Sequence, residues 1–204
     1  MNFSFAQKDS LVQYTIDFKF NDGLFLNFNQ VKNNQAVPFK NIISNENYLS
    51  DNFIDKVLDN TDINVFYNGN KISIKSKAIW GYAKNGILYI QAQDNFFRIP
   101  SIGSISFFVA KVEVEYQTQM DPWSTSYYGM PGQTYTSSEI KRFLIDFSDG
   151  SLYEYSTSNI SKLISTDLKL SDEFMNLKRR QRKQKAFIYI RRFNENNPLY
   201  FPNN

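Results

Sequence analysis

The sequence predicts an α+β fold, an antiparallel β-meander of seven or more strands that closes as a barrel or a sandwich and is followed by C-terminal helices. Three observations carry this expectation. Short runs of alternating apolar and polar residues recur from residue 63 to 155, separated by Asn-Gly and Asp-Gly turns. Beyond residue 157 the apolar spacing becomes that of helices. With 42% apolar and 17% aromatic residues in 204, the chain can bury one sizeable core, and no repeat or low-complexity linker divides residues 7–204 into two domains.

In chain order, Tyr14, Ile16, Phe18 and Phe20 alternate with polar residues and predict a half-buried strand. Asn21-Asp22-Gly23 turns it, and Leu24 to Phe28 returns as its hairpin partner or as the next short strand. The Asn-rich stretch 29–47 reads as loop with one helical turn, and Asp51 is the expected N-cap of a helix burying Phe53, Ile54, Val57 and Leu58. Ile63, Val65 and Tyr67 then pair across Asn68-Gly69 with Ile72 and Ile74. A second hairpin runs from Ala78–Tyr82 to Ile87–Gln91 around Asn85-Gly86, and Phe96–Ile99 continues the meander to Pro100. A long strand follows from Ser104 to Tyr116, containing Phe107, Val109, Val112 and Val114, with Glu113 and Glu115 marking an exposed face. Residues 140–147 and Leu152–Tyr155 form a third hairpin over Asp149-Gly150. Thr157 or Ser158 caps a short helix through Ile164; Ser171 caps a longer one with the basic run in its middle, stopped by Asn194–Asn197 and Pro198.

Composition excludes whole classes of chemistry. Without Cys there is no disulfide, thiolate nucleophile or Cys-ligated metal; without His there is no Ser-His-Asp triad and no imidazole acid–base. No cofactor is expected, and Asp62, Asp94 and Asp121 lack calcium-loop spacing, so no metal is either. The net charge of +3 divides unevenly. Residues 178–192 hold eight basic side chains and no acid, leaving 15 basic against 20 acidic residues, or −5, elsewhere. No apolar run reaches membrane-spanning length, and Ser4 and Ala6 stand in the −3 and −1 places of a secretory cleavage site, so residues 1–6 read as the remnant of an export signal.

Several phrases, taken in order, resemble a family. They are Asp22-Gly23-Leu24-Phe25-Leu26-Asn27-Phe28, Ile79-Trp80-Gly81-Tyr82 with Leu88-Tyr89-Ile90, Phe97-Arg98-Ile99 with Ile102-Gly103, and Ile190-Arg191-Arg192-Phe193-Asn194 with Pro198-Leu199-Tyr200. Their combination resembles a family of exported proteins of Bacteroidetes-type bacteria to which no activity is assigned. The resemblance implies a periplasmic or cell-surface location and no catalytic residues. The chain departs from many members in having neither a complete export signal nor a lipobox Cys, which leaves membrane anchoring open.

Three features are candidate sites. The insert 117–138 and its flank bring together Tyr116, Trp123, Tyr127, Tyr128 and Tyr135, whose flat apolar faces and polar atoms suit sugar rings or an envelope protein. The basic patch Lys178, Arg179, Arg180, Arg182, Lys183 and Lys185 lacks interleaved aromatics, which argues against nucleic acid, and lacks an opposite apolar face, which argues against a lipid surface; it reads as a solvated helix face lying on the acidic β body. Glu113 with Glu115, or Asp146 with Asp149, could serve a carboxylate-dependent glycan hydrolase, the alternative to a non-enzymatic binding role. Trp80-Gly81-Tyr82, Tyr89 and Phe97 read as strand packing, with Gly81 marking a bulge.

Overall fold

The computed structural model describes residues 11–117 and 134–202. Its strands are β1 Leu11–Gln13, β2 Gly23–Phe25, β3 Asp62–Tyr67, β4 Asn70–Lys75, β5 Gly81–Lys84, β6 Ile87–Ala92, β7 Asn95–Arg98, β8 Ile105–Gln117, β9 Thr134–Asp146, β10 Leu152–Glu154 and β11 Tyr200–Pro202. The helices are α1 Phe28–Lys32, α2 Phe53–Leu58, α3 Thr157–Leu163, α4 Leu168–Met175 and α5 Arg179–Asn196. The fold is α+β, with every strand pairing antiparallel.

Local turn chemistry sets the meanders. Asn68 and Gly69, Asn85 and Gly86, and Gln93 and Asp94 all have positive φ, the left-handed pair that two-residue hairpins of this twist require. They close β3–β4, β5–β6 and β6–β7 in register. The strands form a four-stranded sheet in the order β2-β5-β6-β7, a three-stranded sheet β10-β9-β8, and the pairs β3-β4 and β1-β11.

The sheets stack as a sandwich covered on both sides. Phe25, Ala83, Leu88 and Ile90 from the larger sheet meet Phe108, Ala110, Phe143 and Ile145 from the smaller in one buried cluster. The other face of the larger sheet, through Leu24 and Tyr82, packs on Phe53, Ile54 and Val57 of α2 and Ile63 and Val65 of β3. Here Tyr82 stacks on Tyr89 with centroids 4.6 Å apart, and burial pushes its hydroxyl up to about 12. The outer face of the smaller sheet, through Ile105 and Leu144, packs on Ile160, Phe174, Ala186 and Phe193 of the helices. Because side chains alternate along a strand, Ile105 and Phe107 turn to the helices while Phe108, Ala110 and Val112 turn to the sheet.

By the same parity the apolar residues of β8 divide between its two sides: Phe107 packs on the helical core, Val112 on the sheet, and Val109 is 44% exposed. Residues 14–20, which alternate as a strand would, form none. Phe18 N–H donates to Thr15 C=O at 3.0 Å, a turn that leaves Ile16 90% exposed while Phe20 is buried and Tyr14 and Phe18 pack on the core. Among the described residues its backbone bonds to other segments are single ones, Tyr14 N–H to Leu199 C=O and Phe20 N–H to Gly86 C=O, so no ladder forms. The second β5 partner is β2, which makes Gly23–Phe25 the next short strand and not a hairpin with 14–20.

Capping differs in detail as well. The α2 cap position is Asn52 and not Asp51, and Ser156 caps α3 by accepting from Asn159 N–H at 3.1 Å. Where one long helix capped by Ser171 was expected, two occur: Asp167 caps α4, Ser171 lies inside it, and the chain breaks at residues 176–178 before α5 begins with the basic run. The break lets Leu170 and Phe174 of α4 and Ala186 and Tyr189 of α5 converge on one cluster.

The α4–α5 contact is held by two carboxylates. Asp167 accepts from Leu170 N–H at 3.0 Å and Asn196 Nδ2 at 2.8 Å, and Glu173 pairs with Arg192 at 2.7 Å. The Leu170 N–H holds the Asp167 carboxyl below its ordinary 3.8, and the Arg192 guanidinium holds Glu173 below 4.5. Since both values are depressed in the folded state, the stability they contribute is present above about pH 5 and is lost as pH falls through the folded values. Thermal melts across pH should therefore show Asp167→Asn/Glu173→Gln falling furthest below the parent near pH 7 and converging with it towards about pH 3. A constant offset at all pH values would contradict this.

Candidate functional site

β8 and β9 pair over their full thirteen residues, from Ile105 with Asp146 to Gln117 with Thr134. Their base is covered by sheet and helices, but the alternation continues beyond that cover. There Lys111, Glu113 and Glu115 of β8, with Thr136 and Ser138 of β9, form an exposed polar face, Glu113 opposite Ser138 and Glu115 opposite Thr136. The β6–β7 turn supplies the facing wall through Gln91, Gln93, Asp94 and Asn95. Between them lies a groove of about 760 Å³ with no apolar side chain in its lining among the described residues.

The groove is a hydrogen-bonding surface. Gln91, Gln93 and Asn95 carry amides that both donate and accept, Thr136 and Ser138 carry hydroxyls, and Glu113 and Glu115 accept. Asp94 is paired with Lys77 at 2.7 Å. One lysine against three carboxylates gives the lining a formal −2, so it is disposed towards neutral or cationic groups and against acidic ones.

Of the residues expected to bind, Tyr116 lies on β8 in register with Tyr135 on β9, and its hydroxyl donates to the Glu139 carboxylate. Trp123, Tyr127 and Tyr128, like Asp121, lie outside the described residues, as does the Tyr135 side chain. Glu113 and Glu115 share a face, as their spacing predicts, and both are exposed. Asp146 and Asp149 serve the β9–β10 turn: Asp146 accepts from Ser148 N–H at 2.9 Å and Asp149 from Ser151 N–H at 2.8 Å, the latter bond holding Asp149 below its ordinary 3.8. That keeps Asp149 ionised, the opposite of what a general acid needs. Among the described residues no group of three or more Asp or Glu gathers to hold a metal ion.

The basic patch is solvated, but it does not lie on the acidic sheets. Lys178, Arg179, Arg180, Lys183 and Lys185 are exposed, Arg182 is half-buried, and none of the six forms an ion pair among the described residues. The reason is positional. The apolar stripe of α5 begins only at Ala186 and runs through Tyr189, Ile190 and Phe193, so the preceding turns carry their charges beyond the sheet. Trp80 packs beside Phe28 with centroids 5.5 Å apart. Gly81 marks no bulge: it stays in register with Ile90, and glycine is required because a Cβ there would meet the Tyr89 carbonyl oxygen at 2.1 Å.

No family model, curated protein or solved structure matches the chain. Among the described residues no helix is long and apolar enough to cross a membrane. Gln91, Gln93, Asn95, Lys111, Thr136 and Ser138 escape sequence reading as site residues. Each is an ordinary polar residue of a turn or a strand's outer face, and only the approach of the β6–β7 turn to the arm gives them a common use.

Proposed function

We propose that the protein is an exported, non-enzymatic binding protein of the cell envelope that holds a neutral, hydroxyl-rich glycan in the groove between the β6–β7 turn and the β8–β9 arm. The carrying observation is the lining itself, amides, hydroxyls, carboxylates and one ammonium on two facing walls, without an apolar member among the described residues. Such a surface offers sugar hydroxyls paired donors and acceptors, and its formal −2 disfavours uronic or sulfated chains. In sequence, the insert between β8 and β9 carries Trp123, Tyr127 and Tyr128, residue types whose flat apolar faces suit sugar rings. Export and periplasmic or surface location rest on the Ser4 and Ala6 pattern and on the family resemblance.

The second reading, a carboxylate-dependent glycan hydrolase, is favoured by one fact: Glu113 and Glu115 both line the groove. Against it stands their shared exposure, because an acid and a nucleophile need environments that push their pKa values apart. One experiment separates the two. The full chain is screened on neutral, amino-sugar and acidic oligosaccharide arrays, the best binder is titrated by calorimetry, and reducing-end release is assayed alongside. Binding without release is expected. Gln91→Ala/Asn95→Ala, which removes two amides, should weaken it about tenfold. Steady sugar release abolished by Glu113→Gln would establish the hydrolase, and unchanged affinity in the double variant would remove the groove from either reading.

A further inference from the structure

The helical layer carries a second recess, of about 500 Å³, bounded by α3, α4 and the start of α5 and sharing no lining residue with the polar groove. Lys162, Arg179 and Arg182 line it, and no carboxylate does. Hydroxyls make up much of the remaining wall. Those of Thr157, Ser158 and Ser171 have no hydrogen-bond partner among the described residues.

Two independent features show that the arginine side of the recess is unsatisfied, while the Lys162 ammonium stands over the Tyr153 ring, 4.9 Å from its centroid. Among the described residues the Arg182 guanidinium meets only the Met175 sulfur, Nη1 to Sδ at 3.6 Å, and its buried Nε has no hydrogen-bond partner. A buried donor without an acceptor is costly, and a thioether is a weak substitute. Secondly, the first turn of the eighteen-residue α5 is basic and contains no acid, although the positive end of a helix dipole favours the reverse. The carboxylates of α4 and its cap do not compensate. Asp167 is engaged by Leu170 and Asn196, Glu173 by Arg192, and Asp172 is exposed and outside the lining.

We propose that this recess is an anion site that takes the phosphate group of a phosphate monoester. A dianion with three terminal oxygens can accept from the Arg182 and Arg179 guanidinium forks, the Lys162 ammonium and the free hydroxyls together, more donors than one carboxylate could use. It also relieves the mutual repulsion of the three cations and the basic start of α5. The site stands on different residues from the glycan groove, so either can fail without the other.

The same chemistry could come from a soluble metabolite or from a lipid headgroup, and the test has an arm for each. The full chain is titrated at low salt with glycerol phosphate, followed by calorimetry and phosphorus NMR, and with phosphatidylcholine vesicles with and without phosphatidic acid, followed by co-sedimentation. Arg182→Gln and Lys162→Gln should each weaken binding about tenfold, whereas Arg180→Gln and Lys185→Gln, which remove the same charge outside the recess, should change it less than about twofold. Arg179→Gln, at an exposed position, repeats the test should Arg182→Gln fail to fold. Recess-dependent binding of glycerol phosphate identifies a soluble ligand, and recess-dependent binding of the acidic vesicles alone identifies a headgroup. Binding of neither probe, or equal losses from recess and outer variants, overturns the proposal.

Discussion

Gly81→Ala is expected to destabilise the protein by about 3 kcal/mol, lowering its melting temperature by roughly 6–12 °C. A Cβ at this position would stand 2.1 Å from the Tyr89 carbonyl oxygen and 3.3 Å from Ile90 Cα. Both obstacles are backbone, so no rotamer change relieves them and β5 must move away from β6. That movement would reach far, because Gly81 pairs with Ile90 on one side and Phe25 on the other, in the centre of the four-stranded sheet. The adjacent Tyr82 stacks on Tyr89, and Ala83 and Ile90 belong to the core between the sheets. Gly69→Ala is the control. Gly69, unlike Gly81, has positive φ, 78°, but nothing lies within 4 Å of its missing Cβ, so only backbone strain of about 1 kcal/mol is expected. Equal melting temperatures for the two variants would contradict this account of the sheet.

Asn194→Ala is expected to cost about 2–3 kcal/mol, because it removes two hydrogen bonds and strands both of their partners. From α5, Asn194 Oδ1 accepts from Ile105 N–H at 2.8 Å while its Nδ2 donates to Ile105 C=O at 2.9 Å. The amide thus stands in for a neighbouring strand at the point where β8 begins, and Ile105 itself is 1% exposed. Asn194→Asp should not rescue it, since a carboxylate cannot donate to the Ile105 carbonyl. Gly103 leaves room for this amide: a Cβ there would come within 2.3 Å of Asn194 Nδ2. Gly103→Ala and Asn194→Ala should accordingly be less than additive in urea unfolding, whereas full additivity would mean that the two residues do not share one contact.

What could be read in the sequence is what depends on near neighbours. The Asn68-Gly69 and Asn85-Gly86 hairpins, the alternation of Glu113 with Glu115 and the stop before Pro198 all arise from backbone and side-chain preferences acting within a few residues. What could not be read depends on distant partners. β1 pairs with β11 across almost the whole chain, and three residues are too few for any periodicity to show. Residues 14–20 alternate like a strand yet find no partner strand, so a turn wins. The continuous apolar and basic pattern around residues 168–193 hides a break that is favoured only because two short helices can converge on one buried cluster. Both candidate sites follow the same rule. The carboxylates of the polar groove were visible as a pair, but the amides opposite them come from a turn about twenty residues earlier. The basic run was visible as charge, but its division into an outer face and a recess with Lys162 required the fold of three helices.

The central claim, that the β8–β9 arm and the β6–β7 turn together form a glycan-binding groove, is most directly tested by a nitrogen–proton NMR titration of the full labelled chain with a neutral hexose oligosaccharide. The account predicts saturable shifts concentrated at Gln91, Gln93, Asn95, Glu113 and Thr136, with the α5 resonances unmoved. Shifts confined to the helices, or none at these five residues at saturating sugar, would contradict it.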